Sequence, residues 1–346
     1  MTFNVQRKIS TCFSILFFSL IILTHPNSYS KDSPKLSSEF YAGLSMSVLK
    51  VLGPTEDRLY SGSGVIIAPG EVLTNCHVVR NSKKLYVMKG ALRFNVSGIK
   101  INIYRDLCLL EAPTLTLPGA TLIKPSEIKV GDMAYFYGYP GGADAFFTEG
   151  RISGLHPMEN SYVVKTTAGF SSGGSGGGLF DGKGRLIGIT TFFSAGHSGG
   201  YYALPSDWIE DLRSQTSSKI VPINGLTFWE MPLNNQPTFL RFDRLVSDGN
   251  WDDAIKLSTY WINTEPDSFD ALLAHGRALL HHDRKEEAIK VLRYARKLSP
   301  NDANILFSLK QALTGSKKTR ELSEINRKLN EVDPEEVSAG KCNMAC

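Results

Sequence analysis

The run Gly173-Gly174-Ser175-Gly176-Gly177-Gly178 sets one serine among five glycines, and apolar segments follow at once in Leu179-Phe180 and Leu186-Ile187-Gly188-Ile189. A flexible linker has the same composition. A linker is not hemmed in by core strands, however, and Asp181-Gly182 between the two apolar segments is a hairpin turn signal. The glycines therefore belong to a β meander, where they let the backbone turn tightly and aim successive N–H groups at one point. A nucleophilic serine needs that arrangement, because an oxyanion develops beside it during acyl transfer.

Such a serine also needs a general base. Of the 7 histidines, His25 lies near the amino terminus, His156 and His197 lie in loop-like sequence, and His275, His281 and His282 fall in a helical C-terminal region. His77 is different: it is the one polar residue in the second half of Val72-Leu73-Thr74-Asn75-Cys76-His77-Val78-Val79, which reads as an apolar strand. A core histidine satisfied by backbone would fit there too. Asp106 tips the balance, since it opens the apolar strand Leu107-Cys108-Leu109-Leu110 and a buried carboxylate must be paired or hydrogen-bonded. His77 is its natural partner.

The order His77, Asp106, Ser175 distinguishes this arrangement from those of subtilisin and the α/β-hydrolases. The segments GSGVIIAPGEVLTNCHVV, RDLCLLEAP, YFYGYPGGADAFFTEGRISGL, FSSGGSGGGLFDGKGRLIGITTFF and GGYYALPSDW resemble, in order, the landmarks of trypsin-like serine peptidases of the HtrA/DegP-like branch. The likeness runs from about Leu44 to Trp208. It implies a chymotrypsin-like double β-barrel of two six-stranded barrels, with His77 as general base, Asp106 holding its tautomer and Ser175 as nucleophile. It also implies an oxyanion hole from the N–H groups of Gly173 and Ser175. Gly178 replaces the family's usual proline, which is expected to loosen the loop. Gly174 replaces the aspartate of zymogen-type relatives, so their activation switch is not expected.

By the same likeness the substrate pocket is lined by Gly169, Phe170 and Ser171, by Thr190, Thr191, Phe192 and Phe193, and by the segment from Gly199 to Tyr202. None of these is charged, so small or medium apolar side chains are the expected occupants. His197 reads as an exposed loop residue.

At the amino terminus Arg7 and Lys8 precede the apolar run Cys12 to Leu23, and Ser28-Tyr29-Ser30 offers small residues at a cleavage site. This reads as a secretory signal peptide over residues 1–30, too short for a spanning helix, and implies a periplasmic or secreted bacterial protein. The remaining cysteines are Cys76, Cys108, Cys342 and Cys346; the first two flank His77 and Asp106 and are expected as neighbouring buried thiols, with no metal site. A net charge of +4, or +2 without Arg7 and Lys8, gives no ground for nucleic-acid binding.

After Pro222 glycine thins out and the spacing turns helical. Trp251-Asp252-Asp253-Ala254-Ile255 recurs 34 residues later as Lys285-Glu286-Glu287-Ala288-Ile289, and Pro266, Pro300 and Pro334 keep the period. That is the tetratricopeptide (TPR) length. The middle unit fits best, with Leu272, Gly276, Leu279, Ala288, Leu292 and Ala295 as packing positions.

The expected organisation is therefore a multidomain β plus α protein. A signal peptide over 1–30 precedes a peptidase domain over 31–222, all-α TPR-like repeats over 223–336 and a tail over 337–346. The expected function is that of an exported serine endopeptidase without cofactor or metal, acting on protein or peptide substrates. The repeats would bind a substrate or partner, as PDZ modules do in HtrA-like relatives. The alternative is a catalytically silent or partner-gated binding protein on a protease scaffold. Because the triad lies wholly upstream of Asn224, removing the rest is expected to spare short-peptide hydrolysis.

Overall fold

The computed structural model describes residues 37–142, 144–194 and 200–332. The expected signal peptide, His197, and the tail with Cys342 and Cys346 lie outside the described residues. Ser37 caps helix α1 (Ser38–Ser47), its hydroxyl accepting the Phe40 N–H. The chain then forms strands β1 (Val48–Pro54), β2 (Leu59–Ala68) and β3 (Glu71–Thr74), the single turn α2 (Cys76–Val79), and strands β4 (Tyr86–Lys89), β5 (Leu92–Asn95), β6 (Gly98–Asn102) and β7 (Leu107–Glu111). These strands make one antiparallel sheet in the order β5-β4-β1-β2-β3-β7-β6.

A six-stranded barrel was the expectation for this half, and the sheet instead has seven strands and two free edges. The two residues linking β5 to β6 bond the strands beside each edge: Val96 N–H donates to Leu85 O, just before β4, at 3.2 Å, and Ser97 N–H to Glu111 O on β7 at 2.8 Å. Leu49, Ile66, Val72, Leu110 and their neighbours fill the concave face.

The second half meets the expectation. Strands β8 (Met133–Gly138), β9 (Phe146–Met158), β10 (Ser161–Thr166), β11 (Gly178–Phe180), β12 (Leu186–Ser194) and β13 (Gly200–Pro205) close into a barrel in the order β10-β13-β12-β11-β8-β9. Asp181 organises the β11–β12 turn, one carboxylate oxygen accepting the N–H groups of Lys183 and Arg185. Gly178 is not in a loose loop. It pairs with Ile189 and Tyr137 inside the barrel, and a Cβ there would lie 2.2 Å from the Phe180 ring, so the packed Phe180 side chain takes the space a proline ring would fill.

Helix α3 (Ile209–Arg213) leads to six further helices, α4 (Thr238–Ser247), α5 (Trp251–Thr264), α6 (Phe269–His281), α7 (Lys285–Leu298), α8 (Ala303–Leu313) and α9 (Thr319–Val332). Trp251, Lys285 and Thr319 open alternate helices 34 residues apart, the period read from the sequence. Leu272, Leu279, Ala288, Leu292 and Ala295 are all buried in their shared core. A Cβ at Gly276 would meet Leu292 at 2.5 Å, so glycine lets α6 and α7 approach closely. No described helix is long and apolar enough to cross a membrane.

These helices are docked on the second barrel. His156 on β9 bonds Asp270 on α6 at 2.5 Å and stacks on Phe239 of α4 at 4.1 Å. The Tyr202 hydroxyl on β13 donates to Asp243 of α4 at 2.7 Å, and Asn304 of α8 donates to Ser153 O at 3.2 Å.

Asp302, which caps α8 by accepting the Ile305 N–H, is 1% exposed, and its second oxygen has no partner among the described residues. Burial pushes its carboxyl up to about 7, against hydrogen bonds from Ile305 and Asn304 that pull it down. Because the folded carboxyl holds its proton to higher pH than the unfolded one, this stability is fully present below the unfolded value and is lost as pH rises through about 7. Asp302→Asn keeps the cap without the charge. It is expected to raise unfolding stability at pH 8 by about 1–3 kcal/mol and to change it little at pH 4. Urea melts at the two pH values check this, and equal effects at both would refute it.

Candidate active site

His77 lies on the helical turn α2 rather than in a strand, because Asn75 ends β3 and turns the chain. Asp106 immediately precedes β7, with φ of 57°. A non-glycine residue holds that left-handed conformation only where its surroundings over-determine it. Here they do. The Asp106 carbonyl accepts from Cys76 N–H at 3.2 Å and from the Asn75 side-chain amide at 3.1 Å. A disulfide joins Cys76 to Cys108, correcting the expectation of two thiols. Facing positions on α2 and β7 bring the two Cα atoms to 5.0 Å, within bonding range. This cross-link sits one residue from His77 and two from Asp106, tying the elements that carry them.

The Asp106 carboxylate is fully buried and accepts four hydrogen bonds. One oxygen takes the His77 backbone N–H at 2.9 Å. The other takes His77 Nδ1 at 2.7 Å, the Thr191 hydroxyl at 2.8 Å and Trp229 Nε1 at 3.3 Å. With Nδ1–H committed to the carboxylate, the imidazole leaves Nε2 as an acceptor.

The serine loop is held from the first sheet. Ser63 N–H donates to Ser175 O at 2.9 Å, while the buried Ser63 hydroxyl donates to Gly173 O at 2.9 Å and accepts the Tyr139 N–H at 2.8 Å. Within the loop, Gly174 N–H bonds Ser171 O, Gly176 N–H bonds Thr190 O and Gly177 N–H bonds Gly174 O. Among the described residues Gly173 N–H and Ser175 N–H have no acceptor. Gly173 and Gly176 have φ of 89° and 84°, and a Cβ at Gly176 would lie 2.0 Å from Ser63 O, so only glycine fits both. The Ser175 hydroxyl donates to Thr191 O at 2.8 Å and makes no hydrogen bond to His77 among the described residues.

The expected pocket residues separate into three groups. Gly169, Phe170 and Tyr201 pack together, Phe170 and Tyr201 with ring centroids 5.1 Å apart. Thr190 and Thr191 turn their hydroxyls inward: Thr190 braces the loop through Gly174 O and Gly177 O, and Thr191 bonds Asp106. Phe192 is sandwiched between Tyr202 at 4.6 Å and Trp229 at 5.4 Å. Beyond it, a groove of about 360 Å³ runs between the end of β12 and α4, walled by Phe192, Phe193, Trp229 and Leu240.

Sequence reasoning missed Ser63, Thr191 as a neighbour of Asp106, and Trp229. The cluster Leu226-Thr227-Phe228-Trp229 was a readable signal for the last, since a plain linker has no use for adjacent aromatic residues.

Residues 62–189 match the trypsin-like peptidase domain, somewhat more than a third of the chain. The relatives of that domain are HtrA/DegP-like. It is 31% identical over 164 residues to a probable periplasmic serine endoprotease DegP-like of Chlamydia pneumoniae, covering 44% of this chain and 33% of that protein. It is 32% identical over 175 residues to the periplasmic serine endoprotease DegP of Salmonella typhimurium, covering 47% of this chain and 37% of that one. The match thus spans about a third of the curated relatives' length. Among solved structures, the Rv3671c protease from M. tuberculosis in its active form superposes with a TM-score of 0.49 at 23% identity, covering 56% of this chain and 89% of that chain.

Proposed function

We propose that this protein is an exported serine endopeptidase in which Ser175, His77 and Asp106 act as nucleophile, base and orienting acid. His77 Nε2 takes the Ser175 proton as Oγ attacks the peptide carbonyl, and the imidazolium then protonates the leaving amine. Asp106 fixes the Nδ1–H tautomer and offsets the imidazolium charge. The N–H groups of Gly173 and Ser175 receive the oxyanion. The observation that supports this reading is that the N–H groups of Gly174, Gly176 and Gly177 are committed within the protein, while those of Gly173 and Ser175 have no acceptor among the described residues. The uncharged side chains of Phe170 and Phe192 favour apolar side chains in the substrate, while Asp243, Arg244 and Asp248 line the groove beyond Phe192. The periplasmic names of the relatives and the sequence of residues 1–30 together support export.

The test is labelling of the full-length protein with a fluorophosphonate at pH 8, read by peptide mass mapping. Modification at Ser175 is expected; folded protein that stays unmodified would sink the reading. A partner-gated form of the same enzyme is favoured by one observation, the Ser175 hydroxyl resting on Thr191 O instead of His77. The hydroxyl must rotate before attack.

We further assign residues 31–222 to the peptidase and 223–336 to TPR-like repeats that bind a substrate or partner. Their role is not confined to tethering, because Phe228 is fully buried and Trp229 reaches Asp106. Deleting residues 224–346 is therefore expected to lower short-peptide kcat/KM at least about tenfold, the reverse of the expectation from sequence. A truncated enzyme that stays folded by circular dichroism with full short-peptide turnover would restore the pure recruitment role.

A further inference from the structure

Trp229 follows the last element of the peptidase part and precedes the first helix of the repeats, yet it touches both members of the acid–base pair. Its indole Nε1–H reaches the buried Asp106 oxygen that also accepts from His77 Nδ1, at 3.3 Å. Its ring stands perpendicular to the His77 imidazole with centroids 5.5 Å apart. The geometry points to Trp229 as a positioning residue for the Asp106–His77 pair, so that the segment leading into the repeats completes the active site. This inference rests on the hydrolase reading above.

The indole is held from both sides by the residues it serves. Phe228 N–H donates to Tyr104 O at 2.8 Å, two residues before Asp106. Glu230 pairs with Arg80 at 2.8 Å, three residues after His77, and also accepts the Thr227 N–H. Gln236 closes the turn by donating to Trp229 O at 3.0 Å and to Met231 O at 2.8 Å. The backbone on either side of Trp229 is thus fastened next to Asp106 and next to His77. Any displacement of this segment pulls the indole from the carboxylate.

A buried carboxylate keeps its orientation through its donors, and each lost donor removes part of the restraint on its rotation. The remaining donors on that oxygen are the His77 ring and the Thr191 hydroxyl, and a hydroxyl can rotate away. The indole N–H cannot, because Phe192 packs on the ring at 5.4 Å and fixes its plane. In the same way the perpendicular ring limits the swing of the imidazole, which is partly exposed. These effects bear on proton transfer and not on contacts with a substrate's side chains. They should therefore appear in kcat and leave KM alone.

Trp229→Phe in the full-length protein keeps an aromatic ring and removes the N–H. It is expected to lower kcat about three- to tenfold with KM within about twofold, to slow fluorophosphonate labelling in step, and to move the low-field proton resonance of the His77 Nδ1–H···Asp106 bond. Trp229→Ala, which also frees the imidazole, should lower kcat further, and circular dichroism checks its fold. A Trp229→Phe enzyme with unaltered kcat and an unmoved proton resonance would overturn the inference, as would a loss seen only in KM. A wild type without turnover or labelling would instead defeat the hydrolase reading. The proton resonance would still decide the contact of Trp229 with the pair.

Discussion

Ser175→Ala should abolish peptide-bond cleavage, a loss on the order of 10^4- to 10^6-fold in kcat, while leaving the protein folded. The two halves of that statement have different physical origins. The hydroxyl makes one hydrogen bond, to Thr191 O, so its removal should cost folding stability only about 0.5–1.5 kcal/mol. The loop that carries it does not depend on that bond. It is held by Ser63 from β2 and by Thr190 from β12, and both sets of contacts survive the substitution. Chemistry, by contrast, has no substitute for Oγ. What remains is an oxyanion site and a base without a nucleophile, which accelerate only attack by water. Hydrolysis of an unfolded protein such as casein, set beside a urea melt of the same sample, measures both halves. Cleavage at the wild-type rate would remove Ser175 from the mechanism, and a collapsed melt would make it a structural residue.

How far the sequence disclosed this site depended on the range of the interactions involved. Ser175 was legible because its loop needs glycine at nearly every position, a local steric demand that composition records directly. His77 and Asp106 were legible because burying a polar group demands a partner, and one candidate pair met that demand. The element carrying His77 was misread. Val72 to Val79 is largely apolar but divides at Asn75 into a strand and a helical turn, and a short apolar run does not separate the two. The Cys76–Cys108 bond was read as two thiols because it depends on a Cα separation that only the packed fold sets. The helical period of 34 survived intact, since it repeats along the chain. Trp229 was legible as a packed aromatic residue but not as a neighbour of Asp106: it bonds a residue 123 positions away, and nothing in either local sequence names the other.

Asp106→Asn should lower kcat by about 10^4-fold, although it alters one atom and no volume. The four hydrogen bonds to this carboxylate all come from donors, so both oxygens must accept. An asparagine must place its amide nitrogen on one side or the other. Set against the His77 backbone N–H, it opposes a donor that cannot rotate, and α2 is pushed off the site. Set on the other side, it confronts His77 Nδ1–H, the Thr191 hydroxyl and Trp229 Nε1–H together. The hydroxyl can turn away and the indole can tolerate a longer contact. The imidazole resolves its own conflict by moving its proton to Nε2 and accepting at Nδ1. That tautomer presents a donor to Ser175, so the base is lost while the ring stays in place. The second arrangement keeps the backbone intact and should be the one found. Reduced turnover should therefore come with a nearly native fold and a near-native KM. The His77 Nδ1–H resonance should disappear in the variant, and its persistence alongside more than a tenth of wild-type kcat would show that Asp106 does not set the tautomer.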